Sequence, residues 1–287
     1  LIQRTKVFYM VVSSARLMKR AEKENYAIPA FNIDNLESAM AVSEIMHEMR
    51  TPVIVQMIPR TLNYGGIAIY PAMMRELMAD CPVDYALHLD HGSSLSLAKK
   101  CVAGGFSSVM FDGSLMPFED NVKFTKEVTD FALPMDVSVE GELGTIGGKE
   151  EGDTDLEASY TKVSEAEEFV RRTNVSTLAI GVGTAHGVYK GTPHINVERI
   201  KEIHAAIGTP LVLHGASGLS DEVLKDCIAA GITKINFATE LRQAYTNGIK
   251  AEFAKDPEVF DPKIYMRGAI DNIKEVLRHK INICYNI

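Results

Sequence analysis

The sequence predicts a (β/α)8 TIM barrel built as a single domain over residues 1–287, with an extra N-terminal helix and a C-terminal helical segment. Three observations carry this. Short apolar runs alternate with longer amphipathic stretches, eight of each can be laid out in order, and each strand-helix unit takes about thirty residues, as a barrel of about 250 residues requires. A chain with 46% hydrophobic content can bury one large core or two modest ones, and the uninterrupted alternation decides for one.

Residues 1–10 are expected to form an N-terminal extension. Val7-Phe-Tyr-Met-Val-Val12 is shorter than a signal-peptide core and lacks a small-residue cleavage site. An amphipathic helix, Ser13–Glu24, would then close the barrel floor. The first strand is Ala27–Asn32, followed by helix Leu36–Met49. The second is Pro52–Met57 with helix Tyr70–Ala79, and the third is Tyr85–Leu89 with helix Leu95–Ala103. Ser107–Phe111 leads into Pro117–Ala132. Strand five, Asp136–Glu140, is followed by Leu143–Thr161, which is rich in Gly, Glu, Asp and Thr and has no period, so it reads as a long loop serving a site. Helix Ser164–Arg172, strand Thr177–Val182 and helix Val197–Ala206 follow, then Pro210–Leu213 with Ser220–Ala230, and Thr233–Phe237 with Glu240–Lys255. Asp261–His279 would pack outside the barrel or reach a neighbouring subunit. Ser93, Asn196 and Ser220 stand where helices need a capping oxygen, and Gly104, Gly208 and Gly231 stand just past helix ends.

The formal net charge of -8 and the scatter of Lys and Arg argue against a nucleic-acid footprint and favour a small-molecule substrate. No apolar stretch reaches the roughly 20 residues that span a bilayer, so no membrane association is expected and the protein reads as soluble and cytoplasmic. Cys81, Cys101, Cys227 and Cys284 are far apart and include no Cys-x-x-Cys pair, which fits buried, reduced thiols.

Residues at the C-terminal ends of barrel strands face the active site. Asp90, His91, Asp112, Glu142, His186, His214 and Asn236 all fall there. His91, His186 and His214 each close an apolar run and stand beside a small or acidic residue, so three imidazoles can converge with a fourth position open, an arrangement suited to catalytic zinc. His47, His194, His204 and His279 lack that placement and read as structural. His88 is expected under the site. Asp90 and His91 are adjacent and would point to opposite faces of a regular strand, so both reach one site only if the strand turns out there. Given that turn, Asp90 would transfer a proton beside the metal. Two further elements suit an anion over helix N-termini: His214-Gly-Ala-Ser-Gly218 and Asn236-Phe-Ala-Thr239, the loops after strands seven and eight.

His88-Leu-Asp-His91, Val139-Glu-Gly-Glu-Leu-Gly144, Gly147-Gly-Lys-Glu-Glu-Gly152, Gly183-Thr-Ala-His-Gly187, His214-Gly-Ala-Ser-Gly218 and Lys234-Ile-Asn-Phe-Ala-Thr-Glu240 together resemble the class II, zinc-dependent ketose-bisphosphate aldolases, the group of fructose-bisphosphate and tagatose-bisphosphate enzymes. The resemblance runs from about Val11 to Arg267. It implies that His91, His186 and His214 bind Zn2+ and that Asp90 is the proton donor to the aldol oxygen. It implies that Gly187, Gly215, Ala216, Ser217, Asn236, Phe237, Ala238 and Thr239 hold dihydroxyacetone phosphate, and that Glu150 moves the C3 proton. A monovalent cation, Na+ or K+, near the Gly187 and Gly215 carbonyls is implied too, as is a homodimer or homotetramer.

Two departures from the family pattern bear on substrate. Many relatives carry Ser after Gln in the second-strand loop, where this chain has Gln56-Met-Ile58, with Arg60 nearby. Ala238 matches tagatose-type relatives; its methyl group cannot bond the C4 hydroxyl, which weakens discrimination between C4 epimers. Arg267, by contrast, resembles the phosphate-binding arginine that fructose-type enzymes borrow from an adjacent subunit. The expected reaction is reversible cleavage of a fructose or tagatose 1,6-bisphosphate to dihydroxyacetone phosphate and glyceraldehyde 3-phosphate. A zinc hydrolase on the same barrel, or a catalytically silent binding protein, stands as the alternative.

Overall fold

The structure is a computed structural model that describes residues 11–144, 160–187, 189, 191 and 193–287. Glu150 and most of the long loop after the fifth strand lie outside the described residues, as do residues 1–10 of the expected extension.

Eight parallel strands close in sequential order into a barrel: β1 (Ile28–Asn32), β2 (Val53–Met57), β3 (Tyr85–Gly92), β4 (Ser108–Phe111), β5 (Ser138–Leu143), β6 (Thr177–Ile180), β7 (Leu211–Leu213) and β8 (Ile232–Phe237). The expected (β/α)8 fold is therefore the observed one. Around it run α1 (Ser14–Glu24), α2 (Leu36–Met49), α3 (Pro59–Gly65), α4 (Ile69–Leu77), α5 (Leu95–Gly104), α6 (Phe118–Ala132), α7 (Val163–Thr173), α8 (Val197–Ala206), α9 (Asp221–Ala229), α10 (Thr239–Lys255) and α11 (Pro262–Tyr285). Among the described residues no helix is long and apolar enough to cross a membrane.

Local chemistry accounts for most boundaries. Asn35 and Ser38 form a reciprocal capping box at α2, and the Asn196 and Ser220 side chains cap α8 and α9 as expected. At α5 the cap is Ser94, whose side chain accepts the Leu97 N–H, and not Ser93. The short α3 follows Ile58 directly; its Thr, Asn, Tyr and Gly residues have low helix propensity, so no helix was expected there. The last helix continues past His279 to Tyr285, because Lys280, Ile281, Ile283 and Cys284 are buried against the barrel. Its outer turns pack on α10 and α2.

The barrel interior changes character from bottom to top. At the floor Leu17, Met18 and Ala21 of α1 plug the end of the barrel against Ile28, Ala30, Ile54, Ala86, Ala179 and Val212. Side chains two apart along a strand share a face, so the same inward rows continue upward as Asn32, Gln56, His88, Asp90, His214 and Asn236. All six of these polar groups are buried.

Candidate active site

The turn that Asp90 and His91 require is present at the top of β3. His91 has φ of 50°, and the pairing of β3 with β4 shifts register between Leu89 and Gly92. Only glycine fits next, since a Cβ on Gly92 would come within 2.3 Å of the Met110 carbonyl. This bulge lets neighbouring side chains serve one site, with His91 Nε2 3.9 Å from Asp90 Oδ1.

The three strand-end histidines meet. Ligand-capable nitrogens of His91, His186 and His214 lie within 4.8 Å of one another, and the His91 ring stands edge-on to both others, with centroids 5.0 and 4.8 Å away. His91 Nε2 and His214 Nδ1 face each other at 3.1 Å. Their other nitrogens are occupied: His91 Nδ1 by Asp112 Oδ2 at 2.7 Å and His214 Nε2 by Glu140 Oε1 at 2.8 Å. Such carboxylate partners fix ring orientation at metal-binding histidines and raise ligand basicity.

Electrostatics points the same way. Burial pushes the His91 imidazole down, but Asp90, Asp112 and Glu142 together outweigh it and raise it to about 10. His214 and His186 go the opposite way, His214 well below its usual value and His186 to about 4, first through burial and then through repulsion from His91. Burial, with Asp112 next, lifts the Glu142 carboxyl to about 8, and its Oε2 is buried without a hydrogen-bond partner, 3.8 Å from both His91 Nδ1 and His214 Nδ1. Three imidazoles, flanking carboxylates and an orphaned buried oxygen make a donor set that fits a divalent cation.

Asp90 is held from three strands. Its Oδ2 accepts the Asn32 amide at 2.8 Å and the Gln56 amide at 3.4 Å, and its Oδ1 accepts the Asn236 amide at 3.2 Å. Burial alone would raise this carboxyl; His91, His214, Lys234 and the Asn32 amide hold it below its ordinary value. The result is a carboxylate with a fixed orientation beside His91.

Beneath the histidines runs a buried polar chain that strand patterning did not single out, apart from His88. Lys234 Nζ donates to Glu140 Oε2 at 2.8 Å and lies 3.4 Å from His88 Nε2. His88 Nδ1 meets Ser108 Oγ at 2.7 Å, and Ser14 of α1 joins Ser108 and Ser138 at 2.7 and 2.9 Å. The period-2 rule carries the missing signal: Glu140 and Lys234 stand two residues before Glu142 and Asn236 and so share their inward face.

The two predicted anion turns lie at the same rim. Gly215, with φ of 66°, packs so tightly that a Cβ would meet the Ala185 carbonyl at 2.7 Å. Tyr189, which sequence reasoning missed, bridges the turns after β6 and β7: its hydroxyl accepts the Ala185 N–H at 2.9 Å and donates to the Gly215 carbonyl at 2.7 Å. Gly187, with φ of 98°, has open space where a side chain would be. Ser217 Oγ accepts the Ala238 N–H at 3.3 Å, tying the β7 turn to the β8 turn just before Thr239 opens α10. The side chains of Ala216 and Phe237 are buried in the core, Phe237 against Phe31, so these two residues offer the rim only backbone. Arg267 is not brought to this cluster. Its guanidinium forks onto Glu44 of α2 at 2.7 and 2.8 Å and also engages Asp271, which fastens α11 to α2. The other strand-unrelated histidines stay apart, His47 on the Ser43 carbonyl and His279 beside Asp221.

A barrel whose acid and histidines gather at the C-terminal rim in this manner has the layout of a metal-dependent enzyme. The chain belongs to the class-II fructose-bisphosphate aldolase family, whose model matches residues 12–287. Among solved structures, the YdjI aldolase from Escherichia coli K12 is similar over 96% of this chain and 97% of its own, at 32% identity and a TM-score of 0.84. Fructose-bisphosphate aldolase from Campylobacter jejuni covers 97% of this chain and 96% of its own at 22% identity and a TM-score of 0.82, a likeness of fold.

Proposed function

We propose that this chain reversibly cleaves a ketohexose 1,6-bisphosphate, of fructose or tagatose configuration, to dihydroxyacetone phosphate and glyceraldehyde 3-phosphate, with Zn2+ held by His91, His186 and His214. The observation that carries it is the convergence of the three histidines beside an amide-held Asp90, on the rim that also bears the Gly215–Ser217 turn. Bound there, zinc supplies a Lewis acid that withdraws charge from the ketone oxygen. The residues of the chain do the rest. Asp90, ionised and held by Asn32, Gln56 and Asn236, takes the C4 hydroxyl proton during cleavage and returns it during condensation. Backbone N–H groups and hydroxyls of Gly187, Gly215–Ser217 and Asn236–Thr239 hold the phosphate of the dihydroxyacetone half. Glu150, carried by resemblance alone, is the group that moves the C3 proton. A Na+ or K+ ion near the Gly187 and Gly215 carbonyls, a homo-oligomeric assembly and a cytoplasmic setting complete the reading. Within one chain Arg267 pairs with Glu44; serving the phosphate of an adjacent subunit, it would exchange Glu44 for that anion.

Chelation followed by metal add-back tests the core of this proposal. Cleavage should vanish with the chelator and return with zinc; full activity of the stripped protein, or a borohydride-trapped lysine adduct, would refute it. Ala238 predicts weak discrimination between the C4 epimers, which parallel cleavage assays on fructose and tagatose 1,6-bisphosphates measure directly.

A further inference from the structure

Glu240, in the first turn of α10, faces the turn after β7. One carboxylate oxygen accepts the Gly218 N–H at 2.5 Å, and the other lies 3.0 Å from Lys280 Nζ. Lys280 comes from α11, is 5% exposed, and also sits over the Phe237 ring, 5.3 Å from its centroid. A carboxylate bonded to Gly218 is one residue from Ser217, on a turn read as a phosphate seat. Left alone it would repel the anion, because in partly buried surroundings unit charges a few ångströms apart interact strongly.

We propose that Glu240 and Lys280 form a charge-balanced clamp on the phosphate turn. Glu240 holds the shape of Gly215–Gly218 through the Gly218 N–H, and Lys280 cancels its charge so that the turn accepts an anion. Both are positioning residues, and the inference rests on the phosphate reading given above. It also gives the buried end of α11 a task in the site, 40 residues after Glu240 in sequence.

The test compares the zinc-loaded wild type with Lys280→Met, Glu240→Gln and the double variant. KM and kcat are measured on the cleaved bisphosphate, and inorganic phosphate is titrated by calorimetry. Lys280→Met should raise KM and weaken phosphate binding about tenfold while kcat stays within about twofold, the pattern of lost uniform binding. Glu240→Gln, which keeps an acceptor for Gly218 and leaves Lys280 positive, should hold or tighten phosphate. It carries the test by its sign even if Lys280→Met does not fold. The double variant should recover toward wild type, because the charges again balance. A double variant as weak as Lys280→Met, or a Glu240→Gln that weakens phosphate equally, overturns the clamp in favour of simple packing. A wild type that cleaves substrate yet binds no inorganic phosphate would remove the phosphate reading itself, and the clamp with it.

Discussion

At the floor of the barrel Leu17, Met18 and Ala21 meet Ile28, Ile54, Ala86 and Val212, whereas at the rim the same inward rows present Asn32, Gln56, Asp90, His214 and Asn236. Both ends are buried, yet they answer to different rules. Burying the floor removes apolar area from water and stabilises the fold directly. Burying the rim takes charges and amides out of water, a cost met only by mutual hydrogen bonds and ion pairs. The contrast teaches that stability sits at one end and chemistry at the other, joined by the Ser14–Ser108–His88–Lys234–Glu140–His214 chain.

The contrast can be broken at the rim first. Asp90→Ala should lower kcat by about 10²–10⁴-fold while zinc content by metal analysis is unchanged; loss of the metal instead would mean Asp90 is structural to the histidine cluster. At the floor the opposite pattern is expected. Met18→Ala should cost about 2–5 kcal/mol in denaturant unfolding, as large-to-small core changes do, with kcat and zinc content retained. A fall in kcat matching the loss of stability would show the two ends are not separable.

The joining chain should give an intermediate result. Glu140→Gln leaves Lys234 buried beside a neutral partner and weakens the hold on His214 Nε2, so zinc affinity in chelator competition should fall about 10–100-fold. An unchanged affinity would make Glu140 a packing residue. The smallest effect belongs to the outer surface. Hydrogen bonding from Arg267, then Lys274, holds Glu44 at about 2 against burial. A depressed carboxyl stabilises the fold above its unfolded value near 4.5, and that contribution is lost as pH falls toward 2. Arg267→Met should therefore make stability less dependent on pH between about 4.5 and 2, read from acid titrations of unfolding, with KM unaltered if Arg267 serves only its seam.

The sequence by itself determined the barrel, the order of its strands and of every helix but the short α3, and the strand-end histidines, because strand alternation, helix periodicity and capping are local properties. Even the demand for a turn between Asp90 and His91 was legible, since adjacent strand residues point apart. Only the tertiary structure decided which groups hold those residues. Glu140 and Lys234 fall inside motifs that gave them no role of their own, and their partners come from other strands 74 and 94 residues away. Tyr189 joins two turns and Lys280 reaches back from the last helix, contacts that no local window contains. Arg267 is a further case: its motif suggested a phosphate on an adjacent subunit, and the partner the fold gives it within one chain, Glu44 of α2, is equally beyond a local window. The physical reason is one of range. Backbone preference and amphipathic period act over a few residues, whereas the charge balance of a buried site is a sum over every strand that closes around it.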